Sequence, residues 1–220
     1  MTIQTTTQAT LQQVPDELIL VVKRDDFFPF GAWQGLEEVN HSFFIDIIQQ
    51  KKAFLPRSQM EQDSSYKQII PYLIFTHENR YFLMQRTSTA TEQRLHSKYT
   101  LGIGGHIRQE DMIENDKNND YQSILNWARR EFEEEINYSG SYKIEPLGIL
   151  NDDSNTVGQV HVGFVFLLHG DSADISVKSE LKSGQLLTLD ECSPIYDSME
   201  TWTKIVFDFL NKSSNKSCCC

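Results

Sequence analysis

The sequence has few cysteines and no long apolar runs, and each shortage excludes a class of protein. It contains four cysteines in 220 residues, and three of them are the last residues, Cys218 to Cys220. This distribution gives neither a disulfide framework nor a zinc-ligand spacing, so we expect a reducing, cytoplasmic compartment. No apolar stretch approaches the roughly 18 residues that a membrane-spanning helix needs, and we therefore expect a soluble protein.

Positive charge is also scarce: the sequence has 20 Lys and Arg but 31 Asp and Glu, so its formal net charge is −11. Such a surface should repel phosphate backbones, which argues against a non-specific nucleic-acid binder. A phosphorylated small molecule stays open as a partner where a bound metal inverts the local field. The first residues, 1–16, lack a basic segment followed by an apolar one, so we expect a disordered lead-in and no secretory signal.

Length and composition predict one domain. With 39% hydrophobic and 11% aromatic residues, a chain of this size can bury a single sizeable core. We place the domain at 17–211, with 17–64 as an N-terminal extension of it, and expect a flexible tail at 212–220. The tail NKSSNKSCCC resembles cysteine-terminated prenylated tails but lacks a Cys four places from the end. We therefore favour a plain terminus over a lipid anchor, and the oligomeric state stays open, a homodimer included.

Local patterns predict strands on both sides of a central helix, with another helix closing the chain. The predicted strands are 17–24, two strands within 68–86 that form a hairpin around His77, Glu78 and Asn79, then 99–107, 142–150 and 159–170. The predicted outer helices are 37–50 and 198–210, and the second should bury one face composed of Met199, Trp202, Val206 and Phe209.

The central helix follows a polar segment, RQEDMIENDKNND, that we predict to be a surface loop. Asn119 or Asp120 can cap the helix, which should run to about Ile136 because SILNWARREFEEEI contains neither Gly nor Pro. Its predicted buried stripe consists of Leu125, Ala128, Phe132 and Ile136.

Glutamates crowd the end of this helix. Glu131, Glu134 and Glu135 are spaced i, i+3 and i+4, so they project from one arc, whereas Glu133 points elsewhere. Like charges at these spacings destabilise a helix by a few tenths of a kcal/mol per pair. Either a divalent cation neutralises the arc or the residues form a solvated surface, and this segment alone does not decide between the two.

A strand that ends at Gly104 and Gly105, a loop, and a helix with Arg-Glu-hydrophobic-x-Glu-Glu together resemble the Nudix box, G-x5-E-x7-R-E-U-x-E-E-x-G-U. The second half of the box matches from Arg130 to Ile136. The segments GIGGHI and YKQIIPY are similar to a bacterial subgroup described as predicted phosphoesterases. The resemblance covers about 65–211 and implies a Nudix-type α/β/α sandwich around a mixed sheet.

The first half of the box departs from the motif. Gln122 stands where the count back from Arg130 expects Glu, and 25 positions separate Gly105 from Arg130, eleven more than the motif allows. The displaced carboxylate is then either Glu110 or Asp111, with the insertion after it. At the other end of the box Asn137 replaces Gly, and Asn tolerates the left-handed conformation that ends many helices.

The resemblance implies a hydrolase that uses Mg²⁺ or Mn²⁺ and cleaves a diphosphate linkage in a nucleoside diphosphate derivative by water attack on phosphorus. Such cations prefer carboxylate oxygens and neutralise the phosphate oxygens that gain charge. Arg130 would hold the helix against the loop. The implied metal ligands are Glu131, Glu134, Glu135 and the backbone carbonyl of Gly105 or Gly104, and the implied catalytic residues are Glu131, Glu134, Arg130 and Glu180, the last as an extra base or ligand.

Several further side chains have both a functional and an ordinary interpretation. His161 lies in an alternating strand, where most histidines are structural. Cys192 is expected to be a packing residue. The cations that could grip substrate phosphates, or could equally be surface residues, are Arg86, Arg94 and Lys98.

Two alternative functions share the same fold. A nucleotide sensor of the Nudix type would bind without turnover, but such proteins usually lose box glutamates, and this chain keeps all three on the helix. A diphosphate isomerase would need a cysteine near the metal site, upstream of the helix. The chain has no cysteine before Cys192, which disfavours the isomerase.

Overall fold

A computed structural model describes residues 16–87, 97–112, 120–178 and 181–217 of the chain. The strands, in chain order, are β1 (Leu18–Lys23), β2 (Gly35–Glu37), β3 (Ala53–Pro56), β4 (Tyr66–His77), β5 (Arg80–Arg86), β6 (Tyr99–Thr100), β7 (Gly102–Gly104), β8 (Ile136–Tyr138), β9 (Tyr142–Asn151), β10 (His161–Gly170), β11 (Ile175–Val177) and β12 (Leu181–Leu187). The α-helices are α1 (Arg24–Phe27), α2 (His41–Lys51), α3 (Arg57–Met60), α4 (Asp120–Glu135), α5 (Thr156–Val160), α6 (Leu189–Cys192) and α7 (Thr201–Ser217). Short 3₁₀ turns cover Gln109–Asp111 and Ser193–Ser198.

Ten of the described strands form one mixed sheet whose main path is β12-β5-β4-β10-β9-β2. At its centre β4 and β10 run parallel over nine paired positions, while the other pairs of the sheet are antiparallel. Strands β1 and β7 both pair with β4, β3 pairs with β1, and β6 pairs with β5. Strands β8 and β11 form a separate antiparallel pair.

The predicted hairpin is confirmed. Strand β4 ends at His77 and β5 begins at Arg80. The two residues between them, Glu78 and Asn79, have φ angles of 48° and 62°. Two consecutive left-handed residues give the turn whose twist matches that of the flanking strands.

Alternating side chains of the sheet fill two apolar layers. On β10, Phe164 and Phe166 pack toward α1, α2 and α4, whereas Val165 and Leu167 pack toward α6 and α7. Successive residues of a strand point to opposite faces, so one buried strand serves both layers. The result is the predicted sandwich of helices around a mixed sheet.

Helix α4 buries a face that is shifted from the predicted stripe. Ala128, Phe132 and Ile136 are buried as expected, but Leu125 is only partly buried. The core takes Ile124 and Trp127 in its place. The buried face of α4 is therefore rotated toward Ile124 and Trp127 relative to the four predicted positions.

Other element boundaries also differ from those predicted. The segment 37–50 divides into the end of β2 and helix α2, and the segment 99–107 divides into β6 and β7. Helix α7 continues to Ser217. Of the face predicted for 198–210, Val206 and Met199, which precedes α7, are buried, while Trp202 and Phe209 are partly buried. The other buried residues of 198–210 are Thr203, Phe207 and Leu210.

No described helix has both the length and the apolar character needed to cross a bilayer.

The N-terminal segment is part of the same sheet. Strand β1 pairs with the beginning of β4, where Val21 lies opposite Gln68, and the backbone N–H of Leu20 donates to the carbonyl of Ile107 at 2.8 Å. The segment after β7 therefore runs beside β1. This arrangement brings α3, β4, β10 and the residues after the two glycines to one end of the sheet.

Candidate active site at helix α4

The carboxylate of Glu131 lies directly against the glycine that follows β7. A Cβ atom at Gly105 would stand 2.7 Å from Glu131 Oε1, which is closer than real contacts allow. A side chain at this position would have to displace the carboxylate end of Glu131. Gly105 and Glu131, two of the residues predicted for the site, are brought together by this contact.

Glu131 is an acid held in an unfavourable environment for its charge. Burial raises its pKa to about 6, and repulsion by Glu134 adds to the rise. The nearby guanidinium groups of Arg130 and Arg108 oppose the rise in pKa without cancelling it. Desolvation and a like charge both favour the neutral acid, and a cation bound between the carboxylates would relieve both effects.

Arg130 joins the helix to the segment after the glycines. Its Nη2 donates to Asp111 Oδ1 at 2.6 Å, and its Nη1 donates to Glu134 Oε1 at 3.0 Å. Asp111 Oδ2 also accepts from the backbone N–H of Arg108 at 2.8 Å, so both oxygens of this carboxylate are engaged. Of the two acids that could be the displaced box carboxylate, Asp111 contacts Arg130, while Glu110 is exposed.

Gln122 makes a contact of its own on the helix surface, where its Nε2 donates to Asn126 Oδ1 at 2.9 Å. The Arg130–Asp111 bond favours Asp111 as the box acid, with the eleven-residue insertion after it. The insertion falls largely on 113–119, which lie outside the described residues.

The remaining glutamates of the run differ in exposure. Glu134 and Glu133 are exposed, and Glu135 is half-buried. The backbone carbonyl of Glu133 accepts from Lys178 Nζ, and that of Glu135 accepts from the backbone N–H of Lys178 at 2.8 Å. The end of the helix is thus fixed by the residue after β11.

Asn137 does not take the left-handed conformation that its position in the box suggested. The described non-glycine residues with positive φ are Glu78, Asn79 and Ser97. Asn137 instead lies in β8, opposite Ser176 of β11. The chain passes from helix to strand without a left-handed cap because β8 continues directly into a paired ladder.

Among the predicted phosphate-gripping cations, Arg86 is already paired, with its Nε donating to Glu200 Oε1 at 2.9 Å. Lys98 is half-buried, and its carbonyl accepts from the backbone N–H of Arg86 at 3.0 Å. Arg94 and Glu180 lie outside the described residues.

Cys192 is fully buried in the layer formed with α7, across the sheet from α4. Burial raises the pKa of its thiol to about 11, so the thiol stays protonated at neutral pH. The predicted packing role agrees with this position.

His161, which the sequence left undecided, belongs to a second polar group that we name the histidine cluster: Glu61, Gln68, His106 and His161. His106 Nε2 lies 2.6 Å from Gln68 Oε1 and 3.3 Å from His161 Nε2. It also lies 3.9 Å from Glu61 Oε1. Burial, followed by the charges of Arg57, His161 and Arg108, lowers the pKa of His106 to about 3.

No sequence pattern predicted this cluster as a unit. Its members lie in four separate parts of the chain, just after α3, on β4, after β7 and on β10, and 100 positions separate Glu61 from His161. His106 directly follows the glycine pair, and that adjacency to Gly105 was the available signal. Proximity of the other members depends on the docking of β1 and α3 beside β4, which no local pattern reports.

Comparison with known proteins places this fold and site in a family. Protein YmaB of Bacillus subtilis (strain 168) is 34% identical over 206 residues, which cover 89% of this chain and 98% of YmaB. The solved structure of Tm1382, classed as a candidate Nudix hydrolase, has 33% identity and a TM-score of 0.73, and the match covers 88% of this chain and 98% of that one. Comparison with protein-family models finds no match.

A more distant solved structure, DR0079 from Deinococcus radiodurans, shares the fold at a TM-score of 0.54 and 14% identity, with 88% of this chain and 98% of that chain covered. The extent of the similarity to Tm1382, together with the box residues from Arg130 to Ile136, settles the class. The chain belongs to the Nudix hydrolase family, and the predicted enzyme class, a Nudix-type hydrolase, is confirmed.

Proposed function

We propose that this protein is a metal-dependent hydrolase that cleaves a diphosphate linkage in a nucleoside diphosphate derivative by attack of water on phosphorus. The observation that carries the proposal is the close approach of the Glu131 carboxylate to Gly105, where a Cβ atom would stand 2.7 Å from Oε1. Arg130 reinforces it by bonding Asp111 and Glu134 at once. These contacts link Gly105, Asp111, Arg130, Glu131 and Glu134 although eleven residues interrupt the spacing of the box, while the described ligand atoms of Glu131, Glu134 and Glu135 do not converge as closely as those of the histidine cluster.

The donor set suits Mg²⁺ or Mn²⁺. Carboxylate and carbonyl oxygens are the ligands that these hard cations prefer, and the raised pKa of Glu131 indicates an acidic pair that a cation would stabilise. Glu131, Glu134, Glu135 and the carbonyl of Gly105 would hold the ion. When bound, it would neutralise charge on the phosphate oxygens and favour hydroxide over water as the nucleophile.

The chain's own residues would position the parts of the site and accept a proton from the attacking water. Arg130, fixed between Asp111 and Glu134, keeps the segment after β7 at a set distance from α4. Glu131 is also a candidate proton acceptor for the attacking water, because its carboxylate lies beside Gly105 at the proposed metal site. Arg108 lies close enough to lower the pKa of Glu131. One of its guanidinium nitrogens pairs with Glu17 at 2.8 Å, and its other N–H groups make it a candidate contact for a substrate phosphate. Glu180 stays a proposed extra base or ligand.

A panel of nucleoside diphosphate derivatives, assayed with and without Mg²⁺ or Mn²⁺, tests the proposal. We expect release of phosphate, pyrophosphate or a nucleoside monophosphate that depends on the metal and falls by orders of magnitude in Glu134→Gln. Glu133→Gln, an exposed neighbour on the same helix, is the matched control and should keep the activity. Tight nucleotide binding in calorimetry with no turnover for any substrate would instead identify a sensor.

A further inference from the structure

In the histidine cluster, two hydrogen-bond acceptors face the same ring nitrogen, which can carry only one proton. His161 Nδ1 lies 2.7 Å from the carbonyl oxygen of Val157, so this nitrogen carries the proton and Nε2 presents a lone pair. Gln68 Nε2 donates to the carbonyl of Met60 at 3.1 Å, so Gln68 Oε1 also presents a lone pair. Both lone pairs face His106 Nε2.

A carboxylate completes the set. Glu61 Oε1 lies 3.9 Å from His106 Nε2, and the ligand atoms of Glu61, His106 and His161 all lie within 4.8 Å of one another. Among the described residues, no other three Asp, Glu, His or Cys side chains bring their ligand atoms this close together. Two imidazole nitrogens, one carboxylate oxygen and one amide oxygen therefore surround a small volume.

We propose that the histidine cluster binds a divalent transition-metal ion, of the class that includes Zn²⁺ and Co²⁺, separately from the cation at the glutamates of α4. The 3.3 Å between the two Nε2 atoms matches two ligands of one tetrahedral ion, which lie about 3.3 Å apart when each metal–nitrogen bond is about 2.0–2.1 Å. Imidazole selects such ions over Mg²⁺, which prefers oxygen. Binding requires His106 to take the tautomer that carries its proton on Nδ1, and the Glu61 oxygen to move from 3.9 Å to about 3.3 Å from His106 Nε2.

Surrounding contacts also hold the metal-ligating side chains of the cluster in place. The bond from His161 Nδ1 to a backbone carbonyl is the outer contact that metal-binding histidines usually make. Gln68 and His161 are paired neighbours on the parallel strands β4 and β10, so their spacing is fixed by the sheet. Glu61, at the end of α3, is partly exposed, and its Oε1 also accepts from Arg57 Nε at 3.4 Å, so this surface bond must lengthen when the carboxylate moves toward the ion.

Co²⁺ added to chelator-treated protein in excess Mg²⁺ tests the site directly, because tetrahedral Co²⁺ with nitrogen ligands absorbs visible light. We expect one equivalent to bind with such a band, and Zn²⁺ to displace it. Glu61→Gln should weaken Co²⁺ binding by more than the roughly 10- to 100-fold that loss of an outer contact costs, and His161→Ala should abolish the band. Because these readouts are of metal alone, they do not depend on hydrolysis.

Two controls separate the cluster from other sites. His169→Ala removes an exposed histidine of the same strand, one that pairs with Glu145 at 2.7 Å, and should leave the band unchanged. Glu134→Gln should also leave it unchanged while abolishing hydrolysis. The proposal is overturned if wild type gives no band, if Glu61→Gln binds Co²⁺ as tightly as wild type, or if the band depends on Glu134. Because Glu61 is partly exposed, Glu61→Gln decides the question even if His161→Ala does not fold.

Discussion

Arg130 of α4 donates to Asp111 at 2.6 Å across 19 positions of chain. The Asp111 side chain is only 10% exposed, whereas that of Arg130 is 41% exposed, so the acid is the more buried partner. The bond connects the helix that carries the glutamates to the segment that begins at Gly105. It does so in spite of the insertion, because the added residues follow Asp111 and leave the spacing from the glycine to the acid at six positions.

The first prediction concerns this pair. Asp111→Asn should lower hydrolytic activity by about 10- to 100-fold, because small misplacements of a catalytic segment have effects of that size. It should lower the free energy of unfolding by about 1–2 kcal/mol through loss of a charge-assisted hydrogen bond. Steady-state kinetics and urea denaturation measure the two effects. Glu110→Gln alters the exposed neighbouring acid, and if it impaired activity as much as Asp111→Asn, the assignment of Asp111 would be wrong.

The second prediction concerns stabilisation by metal. Mg²⁺ at a hundredfold excess over its Kd should stabilise the wild type by about 2.7 kcal/mol, and Glu134→Gln should gain much less. Without metal, Glu134→Gln should be about as stable as wild type, because relief of the repulsion by Glu131 is offset by the lost ion pair with Arg130. A thermal-shift series with increasing Mg²⁺ measures both. Identical responses of Glu134→Gln and the control Glu133→Gln would contradict the metal assignment.

Sequence patterns predicted what depends on neighbours along the chain. The hairpin at Glu78 and Asn79 and the helix that carries Arg130 were predictable, because turn chemistry and the box motif act over a few residues. The choice between Glu110 and Asp111 was not, since counting positions cannot locate an insertion. Only the ion pair with Arg130 distinguishes the two acids.

Sequence patterns could not predict contacts between segments that are distant in the chain. The parallel pairing of β4 with β10 places Gln68 beside His161, yet each strand alone indicates only that it is buried. The shift of the buried face of α4 toward Ile124 and Trp127 has the same origin, because packing against the sheet decides which side of an apolar helix is covered.

The third prediction concerns a buried lysine. Lys67 has no exposed side-chain surface, and its Nζ donates to Asp153 at 3.0 Å and to the carbonyls of Gly158 and His161 at 2.8 and 3.1 Å. Lys67→Met removes these three bonds, although Asp153 keeps Arg24 and Asn151 as donors, and it should lower the free energy of unfolding by about 1.5–3 kcal/mol. Chemical denaturation measures the loss.

The matched control is Lys51→Met. Lys51 forms a looser surface pair with Asp26 at 3.8 Å, and its side chain is 51% exposed. Exposed pairs of this kind contribute about 0–1 kcal/mol, so the same chemical change should have little effect there. Equal losses in the two variants would mean that Lys67 contributes by packing of its chain and that its three hydrogen bonds matter little.

The last prediction uses the pKa of Glu131. Burial and the charge of Glu134 raise it from 4.5 to about 6, so the folded protein holds this proton more tightly than the unfolded chain does. As pH rises from about 4.5 to about 6, the unfolded chain ionises first, and the free energy of unfolding of the metal-free protein falls by up to about 2 kcal/mol. Glu131→Gln cannot ionise and should escape this fall. It should therefore be more stable than wild type by about that amount at pH 7, and the advantage should vanish below about pH 4.5.

Denaturation in the presence of a chelator, repeated across this pH range, measures the difference between Glu131→Gln and wild type. Glu133→Gln is the control, since Glu133 is exposed on the same turn and its variant should follow the wild-type pH dependence. A constant difference between Glu131→Gln and wild type from pH 4 to 7 would show that the substitution acts through packing or hydrogen bonding. Added Mg²⁺ should reverse the order at pH 7, because the wild type regains stability by binding the ion and Glu131→Gln has lost a ligand.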